Sequence, residues 1–275
     1  MRPLGSTGPW SAGPITTRAT ALLAANPGWM TLDGTNSWLL LEPGGHAAVL
    51  VDPGPDDPGH LAALVAAAQD RDARIDLILL THGHPDHAAG ARSLHERTGA
   101  PVRALDPAHR LGGEGLTGGE VLEVGGLELS VVETPGHTSD SLTFHLPADG
   151  ALLTGDTILG RGSAVIAHPD GHLASYLASL ERLAELAHRT SAGWVLPGHG
   201  PASTQPAELL ADYQQHRRER LAGVAAALQS GTSDPEQLLA VAYPDVPAEL
   251  RWAARLSLAA QVEYLVEGAP ALPAG

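Results

Sequence analysis

The chain contains no cysteine and no lysine among its 275 residues. Without cysteine there is no disulfide, no thiolate nucleophile and no Cys-ligated zinc. Without lysine, Schiff-base chemistry and a phosphate-loop lysine drop out. All sixteen basic residues are arginine. Aromatic residues make up only 4%, so the core has to be built from Leu, Val and Ala. No stretch reaches the roughly eighteen consecutive apolar residues of a membrane span. The N-terminal Met1-Arg2-Pro3-Leu4-Gly5 carries no apolar signal core. The expectation is a cytoplasmic protein with no membrane partner. Basic charge is scarce as well: the net charge is −15, which repels nucleic acid at long range unless a local basic face exists. The hydrophobic share of 43% supports one large domain, or a large one with a small one attached.

Histidine, by contrast, is plentiful. Three histidines and an aspartate fall in Thr81-His82-Gly83-His84-Pro85-Asp86-His87. The preceding Ile75–Leu80 has the length and branching of a buried strand, and the following Ala88–Leu94 suits a helix. In extended chain, residues two apart point the same way, so His82 and His84 face one point. Pro85 suits a first helical position. Asp86 and His87 then turn to another azimuth, toward a second ion. Neutral imidazole and carboxylate are ligands that Zn²⁺ or a similar divalent ion accepts. Two ions need more ligands than this stretch holds.

The remaining ligands sit at other strand ends. Strands are expected over 15–23, 37–41, 47–51, 101–105, 120–124, 127–133, 141–146, 151–154 and 194–196, and helices over 60–69 and 173–187. The later helix carries a leucine stripe. The strand–helix–strand passage before the histidine cluster marks an α/β layer. Pro135-Gly136-His137, Gly155-Asp156 and Pro197-Gly198-His199 each follow a strand. In an α/β sandwich such turns gather at one edge. His82, His84 and His137 then form one site and Asp86, His87 and His199 the other. Asp156 bridges them, because a carboxylate has two oxygens. Asp52, before Pro53-Gly54, reads either as a turn residue or as a carboxylate beneath the metal loop that orients a ligand. Arg161 and Ser163 are substrate-side candidates. His168 and His172 follow Asp156 and are the best placed of the other histidines to line the site.

From about Glu208 strand signals cease. Helices are expected over 209–228, 235–242 (capped by Ser233 or Asp234) and 247–267. Their Leu221, Val224, Leu228, Leu238, Leu239, Leu250, Leu258, Val262 and Leu265 would form an exposed apolar patch. They are expected to pack together and against the sandwich, beside the metal edge.

The HxHxDH of Thr81–His87, with Pro135-Gly136-His137, Gly155-Asp156 and Pro197-Gly198-His199-Gly200 in that order, resembles the metallo-β-lactamase-fold superfamily. The resemblance implies a four-layer αββα sandwich of the α/β class over 1–205. It also implies two divalent metal ions, zinc first, with manganese or iron as alternatives. Asn26-Pro27-Gly28, Gly34-Thr35-Asn36, Leu159-Gly160 and the helical tail look like the subgroup containing β-lactamase-like protein 2. That likeness implies a small all-α winged-helix-like domain over 206–275, and the subgroup includes an endoribonuclease.

The expected chemistry is hydrolysis. Water bridging two ions loses a proton near neutral pH. The hydroxide attacks a carbonyl carbon or phosphorus, while Asp86 orients it or accepts a proton. An ester, thioester or lactone suits the acidic, lysine-free chain. RNA is the alternative, its phosphates held by Arg161 with Arg217, Arg218 and Arg220 behind. Residues 216–267 carry five arginines against seven acids, so the tail has no net basic face. A di-iron redox protein of the same fold comes third. Oligomeric state is not legible in the sequence.

Overall fold

The structure is a computed structural model that describes residues 4, 5, 8, 10–244 and 246–266. The first half runs β1 (Gly13–Pro14), β2 (Ala19–Leu23), β3 (Asn36–Leu40), β4 (Ala47–Val51), α1 (Pro58–Gln69), β5 (Arg74–Leu79), α2 (Pro85–Ala88), α3 (Ala91–Thr98) and β6 (Val102–Arg103). The second runs β7 (Val121–Val124), β8 (Leu127–Glu133), β9 (Leu142–Leu146), β10 (Ala151–Gly155), α4 (Leu173–Thr190) and β11 (Trp194–Pro197). Three helices follow: α5 (Pro206–Gln229), α6 (Pro235–Ala242) and α7 (Arg251–Val266).

The strands form two sheets, ordered β1-β2-β3-β4-β5-β6 and β11-β10-β9-β8-β7. Strand alternation makes four layers of them. In the first sheet Trp38, Leu40, Val49, Val51, Leu77 and Leu79 face the second sheet. Their neighbours Leu39, Ala48, Leu50 and Ile78 face away, onto the layer holding Leu61, Leu64 and Leu94 of α1 and α3. In the second sheet Leu129, Val131, Phe144 and Leu153 meet the first sheet. Leu152 and Val195 turn outward onto Leu173, Leu180, Leu183 and Leu186 of α4. Helix, sheet, sheet, helix is the expected αββα order. The strands buried on both faces, β4 and β5, are parallel and joined through α1.

Two local departures have visible causes. Of the expected opening strand over 15–23 only β2 forms, with β1 lying before that range, because residues 15–18 make a turn in which the Ile15 and Thr16 N–H groups donate to the Ala19 carbonyl and the Thr16 hydroxyl accepts from the Ala19 N–H at 2.9 Å. The stretch between the strands expected over 101–105 and 120–124 contains a 3₁₀ turn, Pro107–His109, whose start Asp106 caps through the Ala108 N–H at 2.8 Å.

The tail packs as its apolar spacing requires. Leu209, Leu210, Tyr213 and Leu221 of α5 join the α4 cluster. Val224 and Ala227 on the same helix meet Leu238, Leu239, Ala254 and Leu258 of α6 and α7, with Leu228, Val262 and Leu265 at the margin. Asp234 caps α6 through the Gln237 N–H at 2.9 Å. The last residue of the expected 247–267 helix, Glu267, lies outside the described residues. The arginine group of α5 is corrected here. Arg217 and Arg220 share the buried face with Tyr213, Leu221 and Val224, and only Arg218 is half-exposed. The helix angle puts residues three and four apart on one side, so the run divides between core and solvent. No described helix is long and apolar enough to cross a membrane.

Candidate metal centre

The sheet directions gather the polar turns. β4 and β5 run parallel, so Asp52 and the Thr81–His87 turn leave the same end of the first sheet. β8 and β10 both run antiparallel to β9, and β11 runs parallel to β10. Their exits, at His137, Asp156 and His199, therefore share one edge of the second sheet. Pro85 opens α2 with His84 at its N-cap, as its missing N–H allows.

Seven side chains meet there in three groups, each with one ligand atom per residue within 4.8 Å of the others. One group is His82, His84 and His137. A second is Asp86, His87 and His199. The third, His82, His87 and Asp156, links them. His84 Nδ1 lies 3.1 Å from both His82 Nε2 and His137 Nε2. His87 Nε2 and His199 Nε2 are 3.2 Å apart, and Asp86 Oδ2 is 3.1 Å from His199 Nε2. Asp156 reaches both sides: Oδ1 lies 3.4 Å from His87 Nε2, and Oδ2 lies 3.4 Å from His199 Nε2 and 3.7 Å from His137 Nε2.

The opposite ring nitrogens already have partners. His87 Nδ1 lies 2.8 Å from Asp52 Oδ2, His137 Nδ1 2.7 Å from the Val165 carbonyl, and His199 Nδ1 3.2 Å from the Gly34 carbonyl. These oxygens only accept, so each Nδ1 carries the proton and each Nε2 turns a lone pair inward. His82 Nδ1 lies 3.0 Å from the Thr81 hydroxyl, which itself donates to Asp52 Oδ2 at 2.7 Å.

Inward lone pairs this close repel one another unless a cation lies among them. Their 3.1–3.2 Å spacing is close to the roughly 3.3 Å expected between two ligands of a tetrahedral Zn²⁺ with ordinary Zn–N bonds. Asp156 Oδ1 is buried with no hydrogen-bond partner. The residues present fit a pair of divalent ions.

The local charges agree. Burial holds the His82 and His137 imidazoles below their ordinary range, in the neutral form that metals take. Burial also opposes charge on His87 and His199, but Asp156 overrides it, with help from Asp52 at His87 and from Asp86 at His199. His87 is driven well up and His199 to about 9. Burial works against ionisation of Asp86 too; its bond to His199 prevails and holds the carboxyl below its ordinary range.

Asp52 lies beneath the Thr81–His87 turn, the place the orienting reading requires. It is 1% exposed and accepts from the Thr81 N–H at 2.8 Å, the Thr81 hydroxyl and His87. Its backbone is left-handed, at φ +55°, which Asp tolerates better than most residues. Asp52→Asn replaces one acceptor oxygen with a donor facing these donors. Metal affinity is expected to fall about 10- to 100-fold, read by competition with a chelating dye. Melting of the metal-free variant separates this loss from unfolding, and unchanged affinity would contradict the orienting role. Close packing also constrains Gly198: a Cβ there would lie 2.6 Å from both Asp156 Oδ1 and His87 Cε1.

The other expected site residues divide. His172 caps α4, accepting from the Ser175 N–H at 3.3 Å. His168 pairs with Glu263 at 3.0 Å. Neither enters the cluster, because the loop after Asp156 crosses to α4 and α7. Arg161 and Ser163 line a cavity of about 230 Å³ that also touches His137 and Asp156. Arg161 is already paired with Asp33 and donates to the Gly8 carbonyl at 2.9 Å, so it is not the open phosphate holder expected. Trp29, Met30, Leu32 and Leu159 line the cavity from the sandwich, and Arg217, Tyr243, Val246, Leu250, Ala253 and Ser257 from the tail. Sequence reasoning missed these walls, as well as the Gly34 and Val165 carbonyls. A main-chain carbonyl has no sequence signal; the exposed Trp29-Met30 pair beside a Pro-Gly turn was the one available hint.

Comparison with known proteins adds relatives. Residues 30–199 match the model of the metallo-beta-lactamase superfamily. The chain is 33% identical to lactamase-like protein vrtG of Penicillium aethiopicum over 234 residues, covering 84% of this chain and 73% of the relative. It is 33% identical to the beta-lactamase-like protein 2 homolog of Drosophila melanogaster over 226 residues, covering 75% and 74%. A crystal structure of a metallo-beta-lactamase family protein from Thermus thermophilus superposes with a TM-score of 0.73 at 25% identity, covering 90% of this chain and 93% of the other.

Proposed function

The chain belongs to the metallo-β-lactamase superfamily, whose members are generally metal-dependent hydrolases, and on that premise we propose that it hydrolyses a small acyl substrate, an ester, thioester or lactone. The observation that carries this reading is the cavity. It is walled mainly by apolar side chains and reaches His137 and Asp156. An acyl group placed there would leave water and bring its carbonyl to the ligand cluster.

His82, His84 and His137 would hold one divalent ion, and Asp86, His87 and His199 a second, with Asp156 shared. The imidazole-rich set suits zinc. Bound there, such ions supply a water acidified to near-neutral pKa and a Lewis acid for the acyl oxygen. The protein's own groups do the rest. Asp52 and the Gly34 and Val165 carbonyls keep three Nε2 atoms aimed inward. Asp86, ionised and with its side chain 29% exposed, is the carboxylate placed to orient a water and accept its proton. Trp29, Met30, Leu32 and Leu159 supply apolar wall for the acyl group.

Charge separates this reading from RNA cleavage. Each phosphate contact to a single strand gives a log–log salt slope of about −0.7. Of the arginines expected to supply such contacts, Arg161 is paired, Arg220 is buried away from the cavity, and Arg217 opens only into a cavity of about 230 Å³, which is too small for a nucleotide strand. The test is turnover of zinc-loaded protein on a nitrophenyl ester, an N-acetylcysteamine thioester, a homoserine lactone and single-stranded RNA, at low and moderate salt. Acyl hydrolysis with a flat salt response is expected. RNA cleavage faster than any acyl turnover, and falling steeply with salt, would overturn the proposal.

A further inference from the structure

The two arginines of the cavity wall are in opposite electrostatic states. Arg161 is half-buried and carries its own counterion, Asp33. Arg217 is 4% exposed. It donates from Nη2 to the Ala164 carbonyl at 2.5 Å, and its guanidinium carbon lies 4.8 Å from the Tyr176 ring centroid. Its Nε has no hydrogen-bond partner, and among the described residues no carboxylate pairs with it. Arg18 and Arg103, both less buried, each have a carboxylate at 2.8 Å or less. Tyr176 and Tyr213 beside it cannot supply the missing charge, because burial pushes both hydroxyls up and keeps them neutral.

A buried cation with no carboxylate partner among the described residues is costly, since one carbonyl and one aromatic face replace only part of its hydration. If α5 needed only packing at this position, an apolar side chain of similar length would serve. The charge instead sits in the wall of the cavity that reaches His137 and Asp156. Ala253, Ala254 and Ser257 on the facing α7 wall are small, which leaves room beside it. The volume of about 230 Å³ exceeds the roughly 150 Å³ of an engineered cavity that holds benzene. It falls short of the roughly 300 Å³ at which drug-sized pockets begin.

We propose that Arg217 is an anion subsite of this cavity, and that the substrate is a compact acyl compound carrying a carboxylate at the end remote from the scissile bond, such as a half-ester or half-thioester of a short dicarboxylic acid. The guanidinium fork matches a carboxylate. This inference rests on the acyl reading for the bond cleaved. The anion subsite itself does not require turnover.

The experiment therefore measures binding first. Succinate, glutarate and adipate are titrated calorimetrically into zinc-loaded protein beside the monocarboxylates butyrate, pentanoate and hexanoate. Both series offer one carboxylate to the metal cluster, and only the first offers a second to Arg217. At least one dicarboxylate is expected to bind about tenfold more tightly than its monocarboxylate match. Arg217→Met is expected to abolish that difference. Arg218→Met, which removes the same charge from the neighbouring position, is expected to keep it. The same preference should appear in KM, with kcat little changed, for N-acetylcysteamine thioesters of the same acids. No preference in the unaltered protein overturns the subsite, whether or not the variants fold. A preference that survives Arg217→Met overturns it too. A preference lost in Arg217→Met without any acyl turnover keeps the subsite and removes the acyl reading.

Discussion

Asp156→Ala is expected to empty both metal positions and to lower hydrolysis about a thousandfold or more. Asp156 is the one carboxylate with an oxygen toward each group, Oδ1 at 3.4 Å from His87 and Oδ2 at 3.4 Å from His199 and 3.7 Å from His137. Removing it takes away a ligand and the negative charge that offsets a second nearby cation. An ion's contribution to transition-state charge stabilisation is several kcal/mol, and about 1.4 kcal/mol corresponds to a tenfold rate change. His199→Ala differs in kind, because His199 belongs to one group only. It should leave the His82, His84 and His137 group able to hold its ion. Elemental analysis of both variants after dialysis, beside the unaltered protein, reads the contrast. Full activity with one ion per chain in the unaltered protein, or full metal content in Asp156→Ala, would sink the shared-ligand scheme.

Ending the chain after residue 206 should prevent stable folding. Leu209, Leu210, Tyr213 and Leu221 of α5 are each at most 5% exposed and lie in the cluster that includes Leu180 and Leu183 of α4. Four such side chains contribute roughly 6–12 kcal/mol as an upper bound, against a total stability of about 5–15 kcal/mol for a typical domain. The lost contacts are also specific. The Tyr213 hydroxyl accepts from the Leu159 N–H at 2.8 Å and donates to the Gly162 carbonyl at 2.8 Å. It thereby holds the loop that carries Arg161 and part of the cavity wall. Without the tail, α4 would present an apolar face to water. Soluble yield and the sharpness of thermal melting check this. A soluble fragment of residues 1–206 with full activity would contradict it.

The parts of the centre that were legible in the sequence are those made by local geometry. His82 and His84 are two residues apart in extended chain, and Pro85 forces a helical start, so their divergence from Asp86 and His87 needs no knowledge of the fold. The Pro-Gly-His turns at His137 and His199 each end a recognisable strand. Their convergence followed only once two sheets with common exits were assumed. The α4 stripe and the α6 cap at Asp234 were equally local. Asp52 was not, because a carboxylate before Pro-Gly serves a turn or a buried donor equally well. Its choice depends on β4 lying beside β5, which brings Thr81 and His87 to it. His168 and His172, the best placed by sequence of the other histidines, lie outside the cluster for the converse reason: their nearness in sequence to Asp156 does not survive the path of the loop.

From the sequence alone came the donor chemistry and its grouping. With no Cys and no Lys, and with His and Asp at strand exits, an oxygen- and nitrogen-ligated divalent centre was the reading that the residue types supported. What only the tertiary structure decided is how each donor is held and what the centre faces. The Gly34 and Val165 carbonyls aim two of the imidazoles, and a carbonyl is present at every residue, so no side-chain pattern announces it. Arg217, one of the group that sequence places behind Arg161, is buried in the cavity wall. The angular spacing of α5 and the packing of α4 and α7 around it determine which of those arginines loses its water.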